Sequence, residues 1–308
     1  VDFSSPSLTG DDVERVGAAL LERGTVGFLA TVITSPPAIY ARNLPLLAQC
    51  MRRSRLRGRL LGVHLEGPFI SPEPGAVGVH PAEWVQAATA DALGALLDLG
   101  DGAVRLITVA ADSPGILGLI AEATRRGVVV SLGHHLATAG HIERAVAAGA
   151  RAVTHLGNGL PDLVHRHHNP LWPALANDGL LAMVIADGHH VPPDLLKVVA
   201  RAKGEHGWIA VSDAAPLAGM PPGEYAWGAE RVVLEPSGKL MSATRGCFAG
   251  SAAHLDICVR YLGGLGFSAE QLTLAALYNP LRLLGVSERD LRPDKGVHLR
   301  AGATDGEI

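Results

Sequence analysis

Leu61-Gly62-Val63-His64-Leu65-Glu66-Gly67-Pro68-Phe69-Ile70-Ser71-Pro72-Glu73 is the stretch whose reading decides the fold. Val63 to Glu66 read as the end of a buried strand. Gly67-Pro68 then turns the chain and leaves an acid, Glu66, at the strand tip. Packing gives a poor reason for a carboxylate at that point. A metal ion or a proton transfer gives a good one. Three more polar groups end apolar runs further on: His134 after Val-Val-Val-Ser-Leu-Gly, His155 after Ala-Val-Thr, and Asp213 after Ile-Ala-Val-Ser.

The surrounding chain alternates short apolar runs with longer amphipathic segments. Strands are predicted over 25–31, 58–66, 104–110, 127–133, 152–155, 181–186 and 208–212. Helices are predicted over 11–22, 38–52, 81–99, 114–126, 138–148, 192–203, 251–265 and 268–284. Ser113-Pro114 is read as a helix cap followed by proline at the first helical position. Gly127 and Gly149 are read as helix stops. Such alternation predicts a parallel sheet covered by helices. No Gly-x-Gly-x-x-Gly opens a helix after a strand, so a dinucleotide fold has no support. Chemical residues at the C-terminal ends of several strands instead predict a (β/α)8 barrel. Seven strands are counted, not eight, and Val1–Gly10 reads as a loop, so the first barrel strand is expected to be missing. The stretch from Glu230 to Met241 reads as an inserted β-hairpin. No separate second domain is expected within 1–308.

Composition narrows the function. The 308 residues suffice for a large core, and 18% charged residues with a formal net charge of −4 leave no basic footprint for nucleic acid. Nine of the fourteen histidines fall between His134 and His190, which points to a site. Cys50, Cys247 and Cys258 form no Cys-x-x-Cys pair, so neither a cysteine zinc site nor a disulfide framework is indicated. Neither a signal pattern nor an apolar run long enough to span a membrane is seen, and a soluble cytoplasmic protein is expected.

Glu66, His134 and His155 make a carboxylate and two imidazoles, a donor set that suits zinc with a position left open. A metal so held lowers the pKa of a bound water toward neutrality. Asp213 across the mouth is the expected general base. Strand alternation is taken to turn His64 away from Glu66, so His64 is not counted as a ligand. His135 and His189 are expected at the rim or behind the ligands.

His64-Leu65-Glu66-Gly67-Pro68-Phe69-Ile70 closely resembles the signature of the N-acetylglucosamine-6-phosphate deacetylases, in the amidohydrolase superfamily. The resemblance continues through Gly133-His134, Thr154-His155-Leu156-Gly157-Asn158-Gly159-Leu160, Ile185-Ala186-Asp187-Gly188-His189-His190, Val211-Ser212-Asp213-Ala214 and Ala249-Gly250-Ser251. It implies that Glu66, His134 and His155 bind one divalent metal ion, zinc by expectation, and that Asp213 is the base and then the acid. It implies that His80 polarises the acetamido carbonyl. Asn158, Gly159, Arg166 and His190 would contact the sugar phosphate, and Phe248, Ala249 and Gly250 would line the pocket. The family's arginine can come from a neighbouring subunit, which implies a homodimer.

The expected reaction is hydrolysis of N-acetylglucosamine 6-phosphate to glucosamine 6-phosphate and acetate. Another N-acyl sugar or amide, or an inactive relative, is the alternative. The sequence departs from the family pattern in several places. The accessory β-sandwich and the first-strand His-x-His are expected to be absent from this stretch, and Gly296–Ile308 resembles the return to that sandwich. Gly159 and Leu160 stand for the usual Ala and Met. Arg166-His167-His168-Asn169-Pro170 replaces an Arg-x-Pro-Gly-like stretch.

Overall fold

The computed structural model describes residues 1–53, 55–228 and 230–291. The expected tail motif at Gly296–Ile308 lies outside the described residues. Seven strands form one parallel sheet in chain order: β1 (Phe28–Ile33), β2 (Leu60–Glu66), β3 (Val104–Val109), β4 (Val129–Leu132), β5 (Ala152–Val153), β6 (Leu181–Ile185) and β7 (Trp208–Val211). Among the described residues this sheet is a TIM-type barrel with seven of its eight strands. Among the described residues, β1 and β7 have no strand partner on their outer edges.

Helices α1 (Gly10–Glu22), α2 (Pro37–Arg52), α3 (Ala90–Leu99), α4 (Ile116–Arg125), α5 (Ala139–Ala148), α6 (Leu171–Ala176), α7 (Pro193–Lys203), α8 (Leu255–Gly264), α9 (Ala269–Thr273) and α10 (Asn279–Leu284) follow the strands. Their starts have local causes. Thr9 and Asp12 form a capping box on α1, and Ser268 and Gln271 form one on α9. Two cores result. Val63, Leu65, Ile107, Val130 and Val184 face the helices with Leu44, Leu93, Leu119 and Ile142. Leu106, Ala152, Met183 and Ile209 fill the barrel's interior. The near-continuous apolar strands follow from burial on both faces.

Several expectations need correction. The segment 81–99 is not one helix: a short 3-10 turn, Ala82–Trp84, precedes α3. Ser113 does not cap α4. Gly115 does, in a left-handed conformation at φ 81°, with no side-chain cap. The predicted helix 251–265 begins only at Leu255, because Ser251 is held in a bridge to Ala214. The predicted helix 268–284 is broken by a π-helical turn, Leu274–Tyr278, just before Pro280. Proline has no N–H to continue the α-helical ladder, and the wider turn accommodates the gap. Helix α6 was not expected. The hairpin is present as β9 (Glu230–Leu234) and β10 (Leu240–Ser242). A further strand, β8 (Gly223–Trp227), pairs with β9 to make a three-stranded antiparallel sheet. Val232, Leu234, Leu240 and Ala249 form its own small core.

Candidate metal and catalytic site

The end of β2 shows why the signature is built as it is. Glu66 lies opposite Ile33 on β1 and Thr108 on β3. Gly67 follows at φ 85°, and a Cβ there would sit 2.1 Å from Thr34 Oγ1. Only glycine meets both demands. Thr34 Oγ1 donates to the Glu66 carbonyl at 3.2 Å and pins the turn.

His134, His155 and Asp213 each stand just past a strand end with φ of 51°, 31° and 47°. Non-glycine residues rarely adopt this left-handed region, and such strain is characteristic of functional sites. The turn aims all three side chains into the barrel's mouth. His134 Nε2 lies 3.3 Å from Glu66 Oε1, His155 Nε2 lies 3.1 Å from the same oxygen, and the two ring nitrogens are 3.0 Å apart. The rings meet edge-on, with centroids 4.7 Å apart. Glu66, His134 and His155 are all buried.

These three donors suit a divalent cation. His134 Nδ1 lies 2.7 Å from the Ala76 carbonyl, which can only accept. The proton is therefore assigned to Nδ1, and Nε2 carries a free lone pair toward Glu66 and His155. Two imidazole nitrogens and a carboxylate oxygen so close, with one lone pair already committed to the centre, fit a small cation with N and O ligands. Burial alone would raise the Glu66 carboxyl, but the adjoining imidazoles of His134 and His155 hold it well below the usual range. Burial opposes charge on His155, yet its hydrogen bond to Glu66 raises it overall.

His80 lies beside this cluster. Its ring packs edge-on to His134 at 4.5 Å, and its Nε2 is 3.7 Å from Glu66 Oε2. Thr34 N–H donates to His80 Nδ1 at 3.4 Å, so Nε2 is the protonated nitrogen. Burial, and then the nearby His134, push His80 down to about 3, so it is neutral at pH 7. Arg245 holds the segment from outside, donating to the carbonyls of Gly78 at 2.8 Å and His80 at 3.0 Å. Asp213 remains partly exposed at the mouth. Burial of its carboxyl, then the charge of Glu66, raise it above the usual range.

His64 needs a correction. Residues two apart on a strand share a face, so His64 lies on the same side as Glu66, not opposite. Its Nε2 is 2.8 Å from Thr108 Oγ1 and its Nδ1 3.2 Å from Thr31 Oγ1. Thr108 Oγ1 bonds Thr154 Oγ1 at 2.7 Å, and Thr154 Oγ1 in turn bonds Ser131 Oγ at 2.6 Å. This polar chain runs from Thr31 and His64, two residues before Glu66's level on their strands, up to Thr108 beside Glu66, and sequence reasoning missed it. Its signal was a polar residue inside each of the apolar runs of β1, β2, β3 and β4.

An open cavity of about 1450 Å³ joins Glu66, His80, His134, His155 and Asp213 to Asn158, Gly159, His190, Phe248 and Gly250. It continues past Leu106, Met183 and Ile209 toward Leu283, between the unpaired edges of β1 and β7. Asn158 Nδ2 donates to the His155 carbonyl at 3.3 Å. His190 Nδ1 is 2.7 Å from Asp187 Oδ2, and its ring stacks on Phe248 at 4.2 Å. Two expected site residues lie elsewhere. Ala249 is wholly buried in the small-sheet core, not on the cavity wall. Arg166 is exposed and does not line the cavity of its own chain. His135 is buried behind His134, and burial pushes it down to about 4. His189 Nε2 is 3.1 Å from the Ser237 carbonyl in the β9–β10 turn.

Comparison with known proteins decides the family. N-acetylglucosamine-6-phosphate deacetylase of Bos taurus is 34% identical over 100% of this chain and 79% of its own length. The chain belongs to the N-acetylglucosamine-6-phosphate deacetylase family. The Homo sapiens enzyme of that name matches at the same 34% and the same coverage. An N-acetylgalactosamine-6-phosphate deacetylase of Escherichia coli O157:H7 is 30% identical over 97% of this chain and 81% of its own length. Among solved structures, a Mycobacterium smegmatis N-acetyl-D-glucosamine-6-phosphate deacetylase variant superposes with a TM-score of 0.84 at 28% identity. The match covers 92% of this chain and 74% of that one, which was solved with N-acetyl-D-glucosamine-6-phosphate. No family model matches.

Proposed function

We propose that the chain hydrolyses the acetamide of N-acetylglucosamine 6-phosphate, giving glucosamine 6-phosphate and acetate. The observation that carries this reading is the convergence of Glu66 Oε1, His134 Nε2 and His155 Nε2 within 3.3 Å, in one cavity with Asp213 and His80. Glu66, His134 and His155 hold one divalent ion, which we read as zinc. When bound, the ion supplies Lewis acidity to the amide carbonyl and eases deprotonation of water.

The remaining steps belong to this chain's side chains. His80 donates its Nε2–H to the carbonyl oxygen as charge develops there. That oxyanion stabilisation is strongest in a dry site, and His80 is buried. Asp213 accepts a proton from the attacking water as the C–O bond forms. It then returns that proton to the amine nitrogen as the C–N bond breaks. The raised Asp213 carboxyl suits both halves of the cycle. Asn158, Gly159, His190, Phe248 and Gly250 shape the sugar pocket.

Arg166 reaches substrate from a neighbouring copy, in a homodimer. This accounts for its exposure here and its absence from its own cavity. Among the described residues no helix is long and apolar enough to cross a membrane. We place the reaction in the cytoplasm, on a single barrel domain that carries the small sheet. The galactosamine relative favours a second reading, the 4-epimeric N-acetylamino sugar phosphate. The test is acetate release from both epimers by the purified, zinc-supplemented chain. Release that stops on chelation and returns with zinc supports the reading. Undiminished release after complete metal removal contradicts it.

A further inference from the structure

A sugar phosphate brings about two negative charges into a cavity that already holds acids. Glu66, Asp162 and Asp213 all line it. Arg15, Arg23 and Arg260 also line it, but from α1 and α8, beside the gap between β1 and β7, and each is engaged. Arg15 pairs with Asp12, and Arg23 and Arg260 meet Asp256 at 3.9 and 2.9 Å. Arg245 is spent on two carbonyls and on Glu230 at 2.8 Å, and it does not line the cavity. Among the described residues, one lysine or arginine remains on the cavity wall at the strands' C-terminal face: Lys239.

The fold places Lys239 with care. It stands where the β9–β10 turn ends. Its N–H donates to Ser237 Oγ at 3.2 Å, and its carbonyl accepts from Glu235 N at 2.9 Å. Gly238, at φ 91°, completes the tight turn. The turn docks on the loop after β6 through Ser237 O and His189 Nε2, 3.1 Å apart. The Lys239 ammonium then rests 5.2 Å from the centre of the Phe248 ring. Phe248 also stacks with His190, whose ring Asp187 holds. No carboxylate among the described residues pairs with Lys239. A half-buried ammonium held on an aromatic ring, facing a cavity and lacking a counter-ion, is poised for an anion.

We propose that Lys239 receives the phosphate of the amino-sugar phosphate and sets the preference for phosphorylated over free sugar. The proposal deepens the deacetylase reading and rests on it. Lysine serves phosphate as a point charge, so arginine would replace it in part.

The experiment compares the parent chain with Lys239→Met, Lys239→Arg and Arg166→Ala, all loaded with zinc. Steady-state kinetics use N-acetylglucosamine 6-phosphate. Calorimetry measures binding of glucosamine 6-phosphate and of glucosamine. Losing a charge-assisted contact predicts a roughly 10- to 100-fold rise in KM and in Kd for the phosphorylated sugars with Lys239→Met. The affinity for glucosamine is expected to hold, and Lys239→Arg is expected to recover part of the loss. Equal weakening for both sugars would mean that Lys239 only packs the hairpin, and would overturn the proposal. So would an unchanged Lys239→Met beside a large loss in Arg166→Ala. If the parent chain turned over no N-acetylglucosamine 6-phosphate, the deacetylase reading would fail by itself. The binding arm would still judge Lys239. A phosphate preference lost in Lys239→Met supports the proposal, and a parent with no preference overturns it.

Discussion

Arg245→Met is expected to slow catalysis although Arg245 lies outside the cavity. The guanidinium joins the small sheet to the segment carrying His80, through the carbonyls of Gly78 and His80 and through Glu230. Methionine keeps much of the stem's packing and removes all three polar contacts. Hydrogen bonds to a charged group contribute about 1.5–3 kcal/mol each when shielded, but Arg245 is partly exposed and solvent replaces much of that. Glu230 keeps its hydrogen bonds from Ser242 and Thr244, so no carboxylate is orphaned. The net stability loss is therefore about 1–2 kcal/mol, a fall of a few degrees in melting temperature for a chain of this size. The catalytic loss is larger in proportion. His80 Nε2 must meet a developing oxyanion, and deleting one such donor costs about 10²–10³ in kcat. Loosening its anchor without deleting it is expected to cost about tenfold in kcat, with little change in metal content. Thermal melting, metal analysis and steady-state kinetics on the same preparations test this. A variant that melts lower yet keeps the parent kcat would refute the positional link between the small sheet and His80.

Glu66→Gln removes the only anionic member of the metal shell while keeping its shape, so bound zinc after dialysis is expected to fall well below one per chain, as read by elemental analysis. The acid limb of kcat/KM is expected above the ordinary aspartate range. Asp213 works as a base when deprotonated, its carboxyl is raised, and activity is lost as pH falls through that raised value. A limb at the normal aspartate pKa would remove Asp213 from that role. His64 is pushed down to about 4 by burial, so the unfolded chain binds its proton first as pH drops. Its contribution is intact above about pH 6.5 and is lost toward pH 4, at about 1.4 kcal/mol per pH unit. Denaturant melts of His64→Gln should therefore show a shallower decline than the parent across that window.

The strand tips were legible because each joins an apolar run to a polar residue that packing does not explain. Glu66, His134, His155 and Asp213 all stood out for that reason, and the structure brings them to one mouth. The seven-strand count was legible too, since strands buried on both faces read as continuous apolar runs. What was lost had weaker signals. Strand β8 alternates half-buried and exposed positions and follows Pro221-Pro222, so it carries no apolar run. Helix α6 has only six residues and starts at a proline cap, too short for a helical period to register. The polar chain of His64, Thr31, Thr108, Thr154 and Ser131 was hidden because its partners lie on different strands, and only register reveals it. Lys239 was hidden because its turn meets the cavity only through the docking of Ser237 on His189.

The most direct test of the account is acetate release by Asp213→Asn beside the parent chain, both zinc-loaded and with metal content measured. Asparagine keeps the shape and cannot take the water's proton. The account predicts that the variant retains its zinc and loses nearly all turnover of N-acetylglucosamine 6-phosphate. A variant with full zinc and near-parent acetate release would contradict it.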